Sequence, residues 1–342
     1  MLADNLCLEC HQTGGARVLS PGKDYSDFLP GEELNKTLSI FVVPFSRNAA
    51  PKDELLEPDL SMHLSKCFRG SEGKLKCITC HDPHRQPAAA EAPAYFRGRC
   101  LTCHNEQSCS RPLAERQKLS PPDSCIGCHM PKRDMPAVYH SALTNHRIVK
   151  APQEPFPEAA YQMTRPELPD LVQLSAAPGS HAAPPPLMLL QAYRQIVPAH
   201  PEYRERYWSL AKKLETTNGD DIAVLEALAD AWSQDKSQNG IEREINYLER
   251  ARAQGTTQPA DFEELGSLLL AGGRWDKAVA ALQQGIERVP FDQELYRLLR
   301  QAYFLNRDMT NACKVLKDAN RLFPQDEGAR AFEINHCSVT AH

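Results

Sequence analysis

The pattern of apolar and polar positions divides the chain into two parts that predict different structures. From Leu187 almost to the end, apolar residues recur at helical spacing and prolines are few. Residues 1–149 show little periodicity, and only the stretch from Leu38 to Val43 predicts a short strand. Such a front part has too few apolar faces for a conventional core. Disulfides, metals or a bulky cofactor are the usual substitutes.

The helical part contains an internal repeat with a period of 34 residues (312 − 278). The recurring residues are Ala278, Leu282 and Pro290 in one copy and Ala312, Leu316 and Pro324 in the next. This spacing predicts tetratricopeptide repeats, which are pairs of antiparallel helices, over about 259–292 and 293–326. Arg300 stands where the pattern prefers glycine. Residues 187–258 predict one or two degenerate repeats with an insertion around Gln234–Gly240.

Between the two parts, residues 150–186 hold nine prolines and predict an extended surface segment. We therefore expect three regions: a front domain over 1–149, a proline-rich linker over 150–186, and a helical domain over 187–342. The fold class predicted is a mostly irregular, cofactor-organised domain followed by an all-α helical solenoid.

Composition adds a chemical signal to this division. The chain has 342 residues, a net charge of −5, and 12 cysteines and 12 histidines. The mixed, mildly acidic charge argues against nucleic acid as a partner. No stretch approaches the roughly 18 apolar residues of a membrane span. Ten of the cysteines lie before residue 130, in the part that lacks a conventional core.

The cysteine spacing identifies the expected cofactor. The pattern Cys-x-x-Cys-His, which attaches a c-type haem, occurs four times. Two thiols bond one edge of the porphyrin, and the histidine binds the iron from the proximal side. The four predicted attachment sites are Cys7, Cys10 and His11 (site 1), Cys77, Cys80 and His81 (site 2), Cys100, Cys103 and His104 (site 3), and Cys125, Cys128 and His129 (site 4). Zinc ribbons or a disulfide framework are the alternatives, but neither requires a histidine after every second cysteine.

The sixth ligand of each iron decides between electron transfer and catalysis. Four histidines of the front part lie outside the motifs and are predicted distal ligands: His63, His84, His140 and His146. His84 follows His81 by three residues, too few to cross a porphyrin, so it is expected to bind a different haem. A surface histidine is the alternative for each, and Met135 is a competing ligand. Four bis-histidine haems predict an electron carrier rather than an enzyme.

Four cysteines remain outside the motifs. We expect that Cys67 and Cys109 could form a disulfide around the second and third sites. Cys313 and Cys337 could also pair, and a buried thiol is equally compatible with the sequence.

In these motifs the chain resembles bacterial multihaem c-type cytochromes that carry tetratricopeptide repeats after the haem domain. The matching segments are Cys-Ile-Thr-Cys-His-Asp-Pro-His at 77–84, Cys-Ile-Gly-Cys-His-Met-Pro at 125–131, and the segment from His140 to Ile148. The resemblance covers roughly residues 5–150 well and the repeats loosely. It implies four haem c groups, with His84, His140 and His146 as distal ligands.

Haem attachment of this type takes place outside the cytoplasm, so we expect an exported, periplasmic or extracellular protein, although Leu2-Ala3-Asp4-Asn5 has neither the basic start nor the apolar core of a signal peptide. The expected partners are other redox proteins or further copies of the chain, which could form a head-to-tail filament. Two alternatives remain open: a multihaem reductase with one open iron, and a docking subunit that recruits a redox partner through its repeats.

Overall fold

The computed structural model describes residues 2–11, 14–45, 57–134, 142–151, 153–161, 168–174 and 183–337. Its contacts divide the chain into two units. The front unit is Met1–Met188 with Gln195–Tyr203, and the repeat unit is Leu189–Arg194 with Arg204–His342. In the described ranges, every helix is too short or too polar to cross a membrane.

Two small antiparallel sheets lie in the front unit. They are formed by β1 (Ala16–Leu19), β2 (Leu38–Val42), β3 (Lys132–Asp134), β4 (Ala142–Thr144) and β5 (Val172–Gln173). The first sheet has the order β1-β2-β5, and β3 pairs with β4. The predicted strand at Leu38 is thus confirmed. All five residues of β2 are buried, in part by a cluster with Leu8, Phe28 and Leu34.

The sheet corrects two expectations from the sequence. The front part does contain a small conventional core, because Leu38 and Ile40 of β2 pack together with Leu8, Phe28 and Leu34. The proline-rich segment is also more than an extended connection. Leu171 is buried, β5 pairs with β2, and the Leu174 amide donates to the Ile40 carbonyl at 2.9 Å.

Short helices carry the rest of the front unit. They are α1 (Leu2–His11), α2 (Pro58–His63), α3 (Lys66–Gly70), α4 (Cys77–Cys80), α5 (Ala92–Cys100), α6 (Leu113–Arg116) and α7 (Cys125–His129). Single 3-10 turns lie at Tyr25–Asp27, Leu34–Lys36, Glu106–Ser108 and Glu158–Ala160. Most of these helices are only one or two turns long, so their own hydrogen bonds cannot stabilise them.

Longer helices form the repeat unit. After α8 (Pro186–Ile196) and a 3-10 turn at Pro201–Tyr203 come α9 (Arg204–Asn218), α10 (Ile222–Trp232), α11 (Gln238–Gln254), α12 (Pro259–Ala271), α13 (Trp275–Arg288), α14 (Gln293–Leu305), α15 (Met309–Leu322) and α16 (Glu327–Phe332), which ends in a wide turn at Glu333–Cys337. Each helix from α9 to α15 packs against the next. The predicted repeats are the pairs α12–α13 and α14–α15, so the helical tetratricopeptide-like fold is confirmed.

Glycine allows the closest approach within the first repeat. A Cβ atom added to Gly266 would lie 2.5 Å from Leu282 Cδ2 and 2.9 Å from its Cγ. Leu282 is fully buried on α13 and has no space into which it can move. Helix packing therefore explains the glycine at position 266.

Gly266→Val is expected to destabilise the repeat unit by about 2 kcal/mol, because it overpacks this contact. Urea unfolding followed by circular dichroism measures the change. The control is Gly272→Val at the end of the same helix, where an added Cβ lies 3.4 Å or more from its nearest neighbour. Equal stability of the two variants would contradict the close approach.

The C-terminal segment accounts for the imperfect second repeat and for two of the four cysteines outside the motifs. The guanidinium of Arg300, which replaces the expected glycine, lies over the Phe332 ring at 4.6 Å. Cys313 on α15 forms a disulfide with Cys337. Cys67 and Cys109 are not joined, so the disulfide expected between them is absent from this structure.

Candidate haem sites

Each predicted attachment motif folds as a turn of helix or a helix end. Site 1 is the last turn of α1, site 2 is α4 followed by His81, and site 4 is α7 itself. At site 3, Cys100 ends α5, and the amides of Cys103 and His104 donate back to its carbonyl at 3.2 and 3.0 Å. Residues three apart in a helical turn lie on one face. Both thiols of a motif can therefore reach one edge of the same ring.

Local hydrogen bonds explain why these turns form. The Ser124 hydroxyl accepts from the Gly127 amide at 3.2 Å and begins α7. The Thr79 hydroxyl accepts from the Lys76 amide at 2.9 Å and fixes the start of α4. Neither contact depends on apolar burial. None of the eight motif cysteines forms a disulfide.

Two histidines have their Nδ1 atom occupied by the backbone. His129 Nδ1 donates to the Val149 carbonyl at 2.8 Å, and His146 Nδ1 donates to the Thr144 carbonyl at 2.9 Å. A metal-binding histidine commonly donates its second ring nitrogen in this way, which fixes the tautomer and leaves Nε2 for the metal. In both rings, Nε2 is therefore the nitrogen that remains for a metal.

A turn of the chain after site 4 positions His146. Strands β3 and β4 pair antiparallel, and the residues after them fold back on the motif. The Asn145 amide donates to the Pro131 carbonyl at 3.1 Å, and the Val149 amide donates to the His129 carbonyl at 2.9 Å. His146, which follows His129 of site 4 by only 17 positions, thus lies next to a different motif.

That other motif is site 2. The ring centroids of His81 and His146 lie 6.2 Å apart, with 35° between the ring planes. Two imidazole nitrogens that share a metal each lie about 2 Å from it, which with roughly 1 Å from nitrogen to ring centre gives about 6 Å between centroids. The predicted proximal and distal residues therefore stand at the separation of two ligands of one iron.

His11 of site 1 lies close to the same pair. Partial burial, followed by the proximity of His11, lowers the pKa of His81. Burial also lowers the pKa of His146, opposed by its bond to Thr144 and assisted by His81 and His11. A lowered pKa keeps imidazole neutral, and neutral imidazole is the form that binds metals.

The remaining predicted ligands are less constrained. His84 and His104 are exposed, and the His84 amide donates to Asp82 Oδ1 at 2.9 Å, which turns the chain back after site 2. His63 is partly exposed on α2, and its ring stacks on Phe68 at 4.2 Å. His140 and the competing ligand Met135 lie outside the described residues.

The four sites are neighbours in chain order. Helix α1 packs on α4, α4 on α5, and α5 on α7. Asp4 on α1 joins sites 1 and 2: its carboxylate accepts from the Cys77 amide at 3.1 Å and pairs with the Lys76 ammonium at 3.4 Å. Sites 3 and 4 meet at their sulfurs, where a hydrogen bond between Cys100 and Cys125 lowers the pKa of Cys125.

A closed ring of four charges connects sites 3 and 4. Asp123, just before α7, pairs with Arg97 Nε at 2.6 Å and with Arg116 Nη1 at 2.7 Å. Glu106 pairs with the same two guanidinium groups, at 3.0 Å for Arg116. The two arginines lower the pKa of Glu106. The ring links α5, α6 and the start of α7 through ion pairs.

The burial of residues 66–132 indicates whether this segment suits a large cofactor. In residues 66–132 the only buried residue is Ser124, although three of the four motifs lie here. Apolar side chains beside the motifs stay exposed, among them Ile78 at 50% and Leu113 at 41%. A porphyrin is a large apolar surface that such side chains could cover, so the residues present fit a haem-organised segment.

Zinc is the competing metal. Within the ranges that the structure describes, no group of three or more His, Cys, Asp or Glu side chains is placed to hold a metal ion.

Sequence reasoning missed Asp4 and Asp59, two buried carboxylates beside these sites. The position of Asp59, one helical turn before His63, is the signal that could have found it.

Comparisons with known proteins concern the helices. No family model and no curated protein match the chain. Among solved structures, the MamA RS-1 ArsTM double mutant is 15% identical over 46% of this chain and 88% of that protein, with a TM-score of 0.37. YrrB, described as a tetratricopeptide-repeat protein with an unusual peptide-binding site, is 14% identical over 42% and 72%, with a TM-score of 0.36.

A third match is TTC0263, a thermophilic tetratricopeptide-repeat protein of Thermus thermophilus. It is 16% identical over 44% of this chain and 79% of that protein, with a TM-score of 0.31. Likenesses at these identities and TM-scores carry no inference about function. They give no support to the haem assignment, which therefore remains a proposal.

Proposed function

We propose that this chain transfers electrons through four covalently attached c-type haems, each bound by two histidines. The observation that carries the proposal is the pair His81 and His146. The sequence predicts the first as a proximal ligand from its motif and the second as a distal ligand from a different part of the chain. Their ring centroids lie 6.2 Å apart, with 35° between the ring planes.

The residues of the chain have distinct roles in this proposal. Eight cysteines attach the haems, His11, His81, His104 and His129 bind the irons on the proximal side, and His63, His84, His140 and His146 are proposed for the distal side. Each haem would supply a one-electron change between ferric and ferrous iron. If two histidines of the chain held each iron, no position would be left for a substrate, so an electron carrier is favoured over an enzyme.

Contacts between the motifs support a continuous electron path. The helices that carry sites 1 to 4 touch in that order, so neighbouring haems would be held close together. Electrons would enter from one redox protein and leave to another, or to a second copy of the chain in a filament. Since c-type haems are attached outside the cytoplasm, we propose a periplasmic or extracellular location.

The test is to produce the chain in a host that attaches c-type haems, and to measure haem content and spin state. Four haems per chain and only low-spin ferric signals in electron paramagnetic resonance are expected. Fewer than four haems would overturn the tetrahaem assignment, and bound zinc would overturn haem binding. A high-spin signal in the native protein would favour the alternative, a reductase with one open iron.

A second role, docking through the repeats, is favoured by exposed aromatic side chains on that unit. Phe291, in the turn between α13 and α14, is 77% exposed, and Phe304 on α14 is 40% exposed. Replacing both by serine should weaken self-association or partner binding without changing haem content. Cryo-electron microscopy of purified protein distinguishes filaments from single molecules, and unchanged assembly in the double variant would contradict docking at these residues.

A further inference from the structure

Two carboxylates are buried where α1, α2 and α4 meet. Asp4 is 8% exposed and Asp59 is 6% exposed. Aspartate is almost never buried unless it is paired. Asp4 is paired with the Cys77 amide and the Lys76 ammonium, which accounts for its position. Asp59 lies on α2, four residues before His63, and requires a different explanation.

The partner of Asp59 is the imidazole of His63. The Oδ2 atom of Asp59 lies 3.6 Å from Nδ1 of His63, and the two residues lie on the same face of α2. The Phe68 ring contacts the imidazole at 4.2 Å. The imidazole of His63 therefore has Asp59 beside Nδ1 and the Phe68 ring against it, and Nε2 is the nitrogen that remains for a metal.

This arrangement differs from that of the two predicted ligands that donate to the backbone. His129 and His146 donate Nδ1 to neutral backbone carbonyls, whereas His63 faces a carboxylate. A carboxylate at the second nitrogen makes a histidine ligand more basic. A more basic ligand stabilises ferric iron relative to ferrous iron. The haem bound by His63 should therefore have a lower reduction potential than it would with a neutral partner.

We propose that Asp59 is a positioning residue for His63, which orients this ligand and lowers the reduction potential of the haem it binds. The inference rests on the proposed function. A purely structural role is the competing explanation, because an acidic residue in the first turn of α2 also favours the helix dipole. The two explanations differ in the redox behaviour that they predict.

The experiment is a spectroelectrochemical titration of the four-haem protein carrying Asp59→Asn, which removes the charge at nearly constant shape. One of the four potentials should rise, shifting its ferric–ferrous equilibrium about tenfold toward ferrous iron, or about 59 mV for one electron. Asp59→Glu restores a carboxylate and should keep that potential near the wild-type value. The matched control is Asp24→Asn, which makes the same charge change at an exposed cap of the Tyr25–Asp27 turn.

The outcomes separate the inference from the function on which it rests. If the wild-type chain binds no haem, the proposed function fails before any potential is compared. If four haems are present and Asp59→Asn leaves all potentials unchanged, or shifts all four equally, the positioning role is wrong. A raised potential in Asp59→Glu equal to that in Asp59→Asn would also overturn it, because the charge would then be irrelevant.

Discussion

A chain whose eight motif cysteines are replaced by alanine is expected to lose its ordered structure over residues 66–132 and to keep its repeat helices. The reason is the difference in burial. The repeat unit buries apolar residues on every helix from α9 to α16, whereas residues 66–132 bury only Ser124. If each porphyrin covered about 200 Å² of apolar side chain, it would stabilise the segment by roughly 5 kcal/mol.

Hydrogen exchange followed by mass spectrometry measures this effect in both units of one sample. The backbone amides of α5 and α7 should exchange orders of magnitude faster in the eight-alanine chain, while those of α12 to α15 stay protected. The control is Cys67→Ala, which removes a cysteine outside the motifs and should leave haem content and protection unchanged. Wild-type protection of α5 without attached haem would contradict a haem-organised segment.

The parts of the fold that the sequence predicts depend on local pattern. The 34-residue spacing of small residues and prolines places the pairs α12–α13 and α14–α15, because those residues act within one repeat. The strand at Leu38 follows from a run of apolar residues. Its pairing with β5 could not be predicted, because the partner lies about 130 residues later in a segment whose prolines suggest an extended chain.

In the candidate sites, too, the sequence predicts the local contacts and not those between distant positions. A motif of five residues identifies each attachment turn, since all its contacts are local. The ring formed by Arg97, Glu106, Arg116 and Asp123 joins positions spread over 27 residues of irregular chain, and charge alone does not select these four. Likewise, the sequence offers His146 as a ligand, but only the fold of β3 and β4 shows that it reaches His81.

The pairing of His146 with His81 leads to the second large effect. His146→Ala is expected to leave four haems attached and to open one iron, which should produce a high-spin ferric signal and reduce the low-spin signal by about a quarter. Loss of an imidazole ligand should also raise one potential by on the order of 100 mV, since axial ligands set haem potentials over about 0.8 V. Such a shift corresponds to about 2.3 kcal/mol per electron.

His200→Ala is the matched control, because His200 lies beside Glu202 and far in sequence from the motifs. It should change neither spin state nor potential. Adding imidazole to His146→Ala should restore the low-spin signal, because a free ring can occupy the position that the side chain left. If His146→Ala stayed fully low-spin, another residue would bind this iron, and the 6.2 Å between the two rings would reflect packing alone. Restoration by imidazole would instead identify His146 as an iron ligand, and its 6.2 Å distance from the ring of His81 would then indicate the haem at site 2.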